Sequence, residues 1–136
     1  MSDRTQTNGT LDADGETFPL GRGVYADFSH DNEMVAVYAA LGLFRQGRDL
    51  DPGRMDAGRT WFASRMVPFG ARMVVERLEC GTGEGEGEYV RVLVNDQVQP
   101  LEFCGGEEGI CELGAFVDSQ GYARDNGQGD WEACVD

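Results

Sequence analysis

Between Val24 and Phe44 the sequence changes from one hydrophobic period to another across a short polar break. Val24-Tyr25-Ala26-Asp27-Phe28 holds β-forming residues with apolar side chains at alternate positions, the period of a strand. Met34, Val37, Tyr38, Leu41 and Phe44 then recur at steps of three and four, the period of one helix face. Ser29-His30-Asp31-Asn32 lies between them, and serine, aspartate and asparagine are all good N-cap types. The polar turn therefore joins the C-terminal end of a strand to the N-terminal end of a helix. Ligands collect at such junctions in α/β proteins, because the first helical N–H groups have no partner inside the helix. Gly47 is the expected stop of this helix.

The remaining pattern fits one domain, since 136 residues can bury a real core but are too few for two. Residues 1–23 read as an irregular lead-in rich in Gly, Thr and Asp, and residues 24–136 as the folded part. Asp12-Ala13-Asp14-Gly15 resembles the opening of a calcium loop, but the residues after it do not supply the further oxygen ligands and closing glutamate, so a solvated turn is expected. Gln46 to Thr60 is a Gly-, Pro- and Asp-rich connection, and Trp61 to Pro68 is apolar and mixed. Ala71 to Cys80 and Tyr89 to Val94 read as strands, separated by the low-complexity run from Gly81 to Glu88. Glycine entropy and glutamate repulsion make that run a flexible hairpin loop. Asn95-Asp96 is placed to turn into a third short strand, Gln97 to Leu101. Leu113, Phe116, Val117 and Tyr122 predict a last helix ending near Gly127.

Composition narrows the function classes. Twenty-five acidic against eleven basic side chains give a formal charge of −14, which would repel a nucleic acid along most of the surface. A phosphorylated small molecule stays open, because a few arginines can make one locally positive pocket. No apolar run approaches the roughly 20 residues that cross a bilayer, so no membrane partner is expected. Met1 to Thr10 is polar throughout and lacks the apolar centre of a signal peptide. The cysteines point the other way. Cys80, Cys104, Cys111 and Cys134 are even in number and widely spaced, and with a single histidine in the chain they suit disulfides better than zinc. Asn8-Gly9-Thr10 is a glycosylation sequon, which has meaning only in a secreted protein.

Several blocks, taken in order, carry a specific resemblance. They are Leu11-Asp12, Thr17-Phe18-Pro19-Leu20, Tyr25-Ala26-Asp27-Phe28-Ser29-His30-Asp31-Asn32, Ala40-Leu41-Gly42-Leu43 and Val67-Pro68-Phe69-Gly70-Ala71-Arg72. Val90-Arg91-Val92-Leu93-Val94-Asn95-Asp96 and Gly129-Asp130-Trp131-Glu132-Ala133-Cys134 complete the series. From about Leu11 onward the chain resembles the C-terminal part of secreted histidine acid phosphatases of the fungal phytase type.

The resemblance implies an α/β fold: the C-terminal part of the histidine phosphatase (phosphoglycerate mutase-like) fold, an incomplete mixed sheet with flanking helices. It implies a two-step phosphomonoester hydrolysis on substrates such as phytate. A histidine in an Arg-His-Gly-x-Arg-x-Pro motif attacks phosphorus, and an aspartic acid gives the leaving alcohol its proton. By motif match His30 is the second, phosphate-binding histidine, Asp31 the proton donor and Asn32 a substrate contact. Without the resemblance, Asp31 reads as a plain N-cap and His30 as a partly buried, satisfied side chain. The family's small C-terminal loop implies a Cys104–Cys111 disulfide, and leaves Cys80 and Cys134 without the upstream partners they have in the family. No metal and no cofactor is implied, because arginines and histidines meet the phosphate charge. His30 is the only histidine and no Arg-His-Gly motif occurs in the sequence. The chain alone is therefore expected to be inactive unless the missing N-terminal portion is supplied, with a non-catalytic phosphate-binding or regulatory protein as the alternative.

Overall fold

A computed structural model describes residues 16, 19, 21–81, 86–106 and 108–124. The predicted lead-in, residues 1–23, therefore lies mostly outside the described residues, as do Asn8, Cys134 and the predicted end of the last helix near Gly127.

The helical period after the polar turn forms α1, Asp31–Leu41. It stops at Gly42 rather than at Gly47, and the reason is backbone chemistry. Gly42 takes a left-handed φ of 82°, its N–H donates to Ala39 O at 3.0 Å, and the Leu43 N–H reaches back to Tyr38 O at 2.9 Å. This pair of bonds is the Schellman closure, which satisfies two carbonyls that the helix end leaves free. Its apolar contact is built in, since Leu43 and Tyr38 are both buried. Phe44, expected on the helix face, lies just beyond and stacks edge-on to Tyr38 at 5.6 Å between ring centroids.

Val24 to Phe28, predicted as a strand, pairs with no described strand, and Val24 and Phe28 are 84% and 101% exposed. β-Forming residues favour extended backbone, but a strand needs a neighbour to take its N–H and C=O groups. None lies beside it among the described residues.

The sheet is built around β2, Gly87–Val94. β1, Met73–Cys80, pairs with it along its whole length, from Met73 opposite Val94 to Cys80 opposite Gly87. β3, Gln97–Val98, and β4, Ile110–Glu112, also pair with β2, and every pairing is antiparallel. The predicted third strand is shorter than expected, although the Gln99 N–H still donates to Val92 O at 2.8 Å. Asn95 and Asp96 make the tight turn between β2 and β3 with φ of 49° and 68°. Two positive φ values in succession are what a twisted two-residue hairpin requires, and asparagine and aspartate tolerate them best after glycine. Asn95 also ties three segments together. Its amide donates to Arg65 O at 2.8 Å and to Met66 O at 3.1 Å, while its carbonyl oxygen accepts the Arg72 N–H at 3.1 Å.

Alternation then decides the core. Val90, Val92 and Val94 share one face of β2 and are all buried, with Cys111 of β4 beside them. Tyr38 from α1, Met66 from the short α2 (Ala63–Met66), Leu101 and Leu113 close over this face. The predicted last helix is broken in two: α3, Leu113–Ser119, and α4, Gly121–Arg124, meet at Gln120, whose ψ of 53° is not helical. Before it, the Cys104–Cys111 disulfide is formed as the resemblance implied, with Cα atoms 6.3 Å apart. The loop it closes needs glycine at 109, where φ is 77° and an added Cβ would lie 2.9 Å from Gln99 O. Helices packed against a sheet make the domain α/β.

Candidate functional site

His30 is the N-cap of α1, with extended backbone at φ −116° and ψ 164°, and its carbonyl accepts the Met34 N–H at 3.0 Å. Its imidazole makes no capping hydrogen bond. Asp31 and Asn32 are the first two helical residues, and the Asp31 carboxylate accepts the Asn32 N–H at 2.9 Å. Ser29 adds a bond that the sequence reading missed, its hydroxyl donating to the Glu33 carboxylate at 2.5 Å. The four-residue spacing of a serine and a glutamate across a helix start was the available signal. Asp31 and Glu33 put two carboxylates in the first turn, where the partial positive charge of the helix end favours them.

The turn thus brings His30, Asp31 and Asn32 together at one helix start, as the sequence predicted. It does not enclose them. All three are exposed, and no basic side chain among the described residues bonds to any of them. Cavities of about 500, 560 and 320 Å³ are formed elsewhere, none lined by these three residues. None of these three cavities joins His30, Asp31 and Asn32, and Val24 and Phe28 in the segment before them are exposed.

Charge is better organised in the connection before α2. Asp51 and Asp56 each accept the N–H of the glycine two residues on, at 2.8 Å, in successive Asp-x-Gly-Arg turns. Arg48 donates to Asp56 at 2.5 Å, and this bond, with that from Gly58, holds the Asp56 carboxyl below its usual range. Arg59 and Arg65 stack on Phe62, at 4.0 and 4.5 Å from its centroid. Among the described residues no group of His, Cys, Asp and Glu side chains is arranged to hold a metal ion, and no helix is long and apolar enough to cross a membrane. Cys80 is exposed and bonds to no described cysteine.

Comparison with known proteins places this turn in context. Residues 2–95 match the family model of the histidine phosphatase superfamily, branch 2. Phytase A of Arthroderma benhamiae is 42% identical over 140 residues, covering 98% of this chain and 30% of that protein. Phytase A of Aspergillus oryzae is 42% identical over 138 residues, covering 98% and 29%, and that of Neurospora crassa 38% over 164, covering 97% and 32%. The chain thus spans about 30% of the length of the curated relatives it matches. With most of its length, the His30-Asp31 turn included, inside the matched region, the chain belongs to the histidine phosphatase superfamily, branch 2.

Proposed function

We propose that this chain supplies half of a phosphomonoester-hydrolysing centre of the phytase or acid phosphatase kind: the half that holds phosphate and protonates the leaving group. His30 donates to a phosphate oxygen, Asn32 contacts substrate, and Asp31 is the general acid. A histidine from a separate Arg-His-Gly segment attacks phosphorus, the P–O bond to the alcohol breaks, and Asp31 gives that oxygen its proton. Water then releases phosphate from the phosphohistidine and the two groups return to their starting states. The bound phosphate's charge favours the protonated form of Asp31, which suits acidic media. Neither metal nor cofactor has a role in these steps.

The observation that carries this reading is the placement of His30 and Asp31 at the start of α1, inside a match of 42% identity to a protein named phytase A. Secretion and glycosylation at Asn8 belong to the same proposal, supported by the Cys104–Cys111 disulfide and by the Asn8-Gly9-Thr10 sequon.

The sequence contains one histidine, so the chain alone lacks a nucleophile under this scheme. Purified chain with a chromogenic phosphate ester at acidic pH is expected to give no turnover above buffer. A chimera in which this chain replaces the matching segment of Aspergillus oryzae phytase A is expected to turn over. Activity of the chain alone that needs His30 yet forms no phosphohistidine overturns the division of labour. The single histidine also favours a second reading, a non-catalytic phosphate-binding protein, for which His30-dependent binding of inorganic phosphate to the isolated chain is the test.

A further inference from the structure

All eleven Lys and Arg positions of the chain are arginine, set against 25 carboxylates. Arg48, Arg72, Arg77, Arg91 and Arg124 each pair with an aspartate or glutamate. Arg59 and Arg65 make no ion pair among the described residues. Both guanidinium groups lie instead over the ring of Phe62, at 4.0 and 4.5 Å from its centroid. Such a stack uses the face of a guanidinium plane and leaves its N–H edges for other partners. Arg59 is fixed further, because its Nε donates to Trp61 O at 3.0 Å and its Nη1 to Asp56 O at 2.8 Å. Its Nη2 bonds to no described residue. Asp56, the carboxylate that feels the charge of Arg59, is already held by Arg48. No described residue accepts a hydrogen bond from the Arg65 guanidinium, which is exposed.

Arg59, Phe62 and Arg65 line a cavity of about 320 Å³ together with Gln97 and Gln99. The Gln97 side-chain amide has no hydrogen-bond partner among the described residues, and that of Gln99 donates to Gln97 O at 2.8 Å. No carboxylate lines this cavity among the described residues, which separates it from the other two. The 500 Å³ cavity sets Asp49, Asp51 and Asp56 beside Arg48 and Arg54, and the 560 Å³ cavity has Arg45 as its one arginine. A net charge of −14 repels anions at a distance, so an anion held here owes its binding to short contacts. The donors decide its kind. Two guanidinium edges and an amide suit a compact group with more oxygens than the two of a carboxylate. A phosphate group has three or four, so one guanidinium can bond a pair while the other takes a third.

We propose that this cavity is a phosphate-group site separate from the His30-Asp31 turn. Arg65 and Arg59 hold the phosphate oxygens, Gln97 adds a donor, and Phe62 keeps the two guanidinium planes in place. The group is carried by inorganic phosphate or by a phosphomonoester. None of His30, Asp31 and Asn32 lines the cavity, so the site needs neither nucleophile nor proton donor. It stands or falls independently of the reading under Proposed function.

Inorganic phosphate and methyl phosphate are the probes, each titrated into the full 136-residue chain at an ionic strength held constant with chloride. Nitrogen-edited NMR of the arginine Nε–H groups follows the binding. Saturable shifts are expected at Arg59 and Arg65. Arg65→Gln should weaken binding about tenfold, and Arg65→Lys, which keeps the charge without the fork, should recover only part of that. His30→Ala should bind like the parent. Equal binding of the two probes supports a site for a phosphoester, and binding of inorganic phosphate alone supports a site for the released product. Should Arg65→Gln unfold the chain, the parent's shifts and Arg65→Lys decide. No saturable shift, shifts that chloride reproduces, an Arg65→Gln variant that binds like the parent, or binding lost in His30→Ala would each overturn the assignment.

Discussion

The Met34 amide donates to the His30 carbonyl at 3.0 Å, which makes His30 the N-cap of α1 although its imidazole caps nothing. Serine, aspartate and asparagine are the residues that fill this position to the helix's benefit. A histidine there breaks a local rule, and such breaks concentrate where a side chain serves function. His30→Ser is therefore expected to leave the chain equally stable or more stable by about 0.5–1 kcal/mol, because its hydroxyl can accept a free N–H of the first turn. Urea unfolding checks this; a clear loss of stability would mean that the imidazole has a structural partner.

Asn95 is expected to be the most sensitive polar residue of the hairpin. Asn95→Ala removes three side-chain hydrogen bonds and leaves a Cβ residue at φ 49°, so a loss of about 2–4 kcal/mol is predicted. Asn95→Gly, which keeps the backbone freedom, should recover about 1 kcal/mol of it. Equal losses in the two variants would assign the whole effect to the hydrogen bonds.

Tyr38 gives a pH signature. Its ring is fully buried and burial raises its pKa above the usual 10.0, while its hydroxyl donates to Met66 O at 3.4 Å. The unfolded chain gives up this proton first, so the contribution is complete below pH 10.0 and is lost as pH rises through the folded value. Tyr38→Phe should flatten the fall in thermal midpoint above that pH. An unchanged alkaline slope would mean that other groups control it.

The disulfide joins residues seven apart in sequence, and closing so short a loop in the unfolded chain contributes about 2 kcal/mol. Cys104→Ser with Cys111→Ser, or reduction of the parent, should lower the urea midpoint accordingly. The parent's sensitivity to reductant should vanish in the double variant; a residual sensitivity would point to a bond at Cys80 or Cys134.

How much of this was legible depended on whether the signal was local. β1 and β2 could be read from alternation, and the Asn95-Asp96 turn from its two residue types, because both are set by neighbours in sequence. The end of α1 was misplaced since Gly42 sits inside an apolar period that runs on to Phe44, and only the return of the Leu43 amide to Tyr38 reveals the stop. β4 was missed because Ile110–Glu112 is too short to carry a period and is held by pairing to Tyr89, Val90 and Arg91. The strand expected at Val24 to Phe28 rested on β-forming residues and their alternation, but its formation needs a neighbouring strand that no described residue provides. The His30-Asp31 turn was legible through resemblance and helix-start chemistry together; a pocket around it was not, because walls are long-range features.

The most direct test of the central claim uses Asp31→Asn in the chimera with Aspergillus oryzae phytase A, comparing an alkyl phosphate with nitrophenyl phosphate. An alkoxide needs a proton to leave and nitrophenolate does not. If Asp31 is the general acid, kcat for the alkyl ester should fall by about 10²–10⁴ while the nitrophenyl ester loses far less. Equal losses on both esters, or none on either, would contradict it.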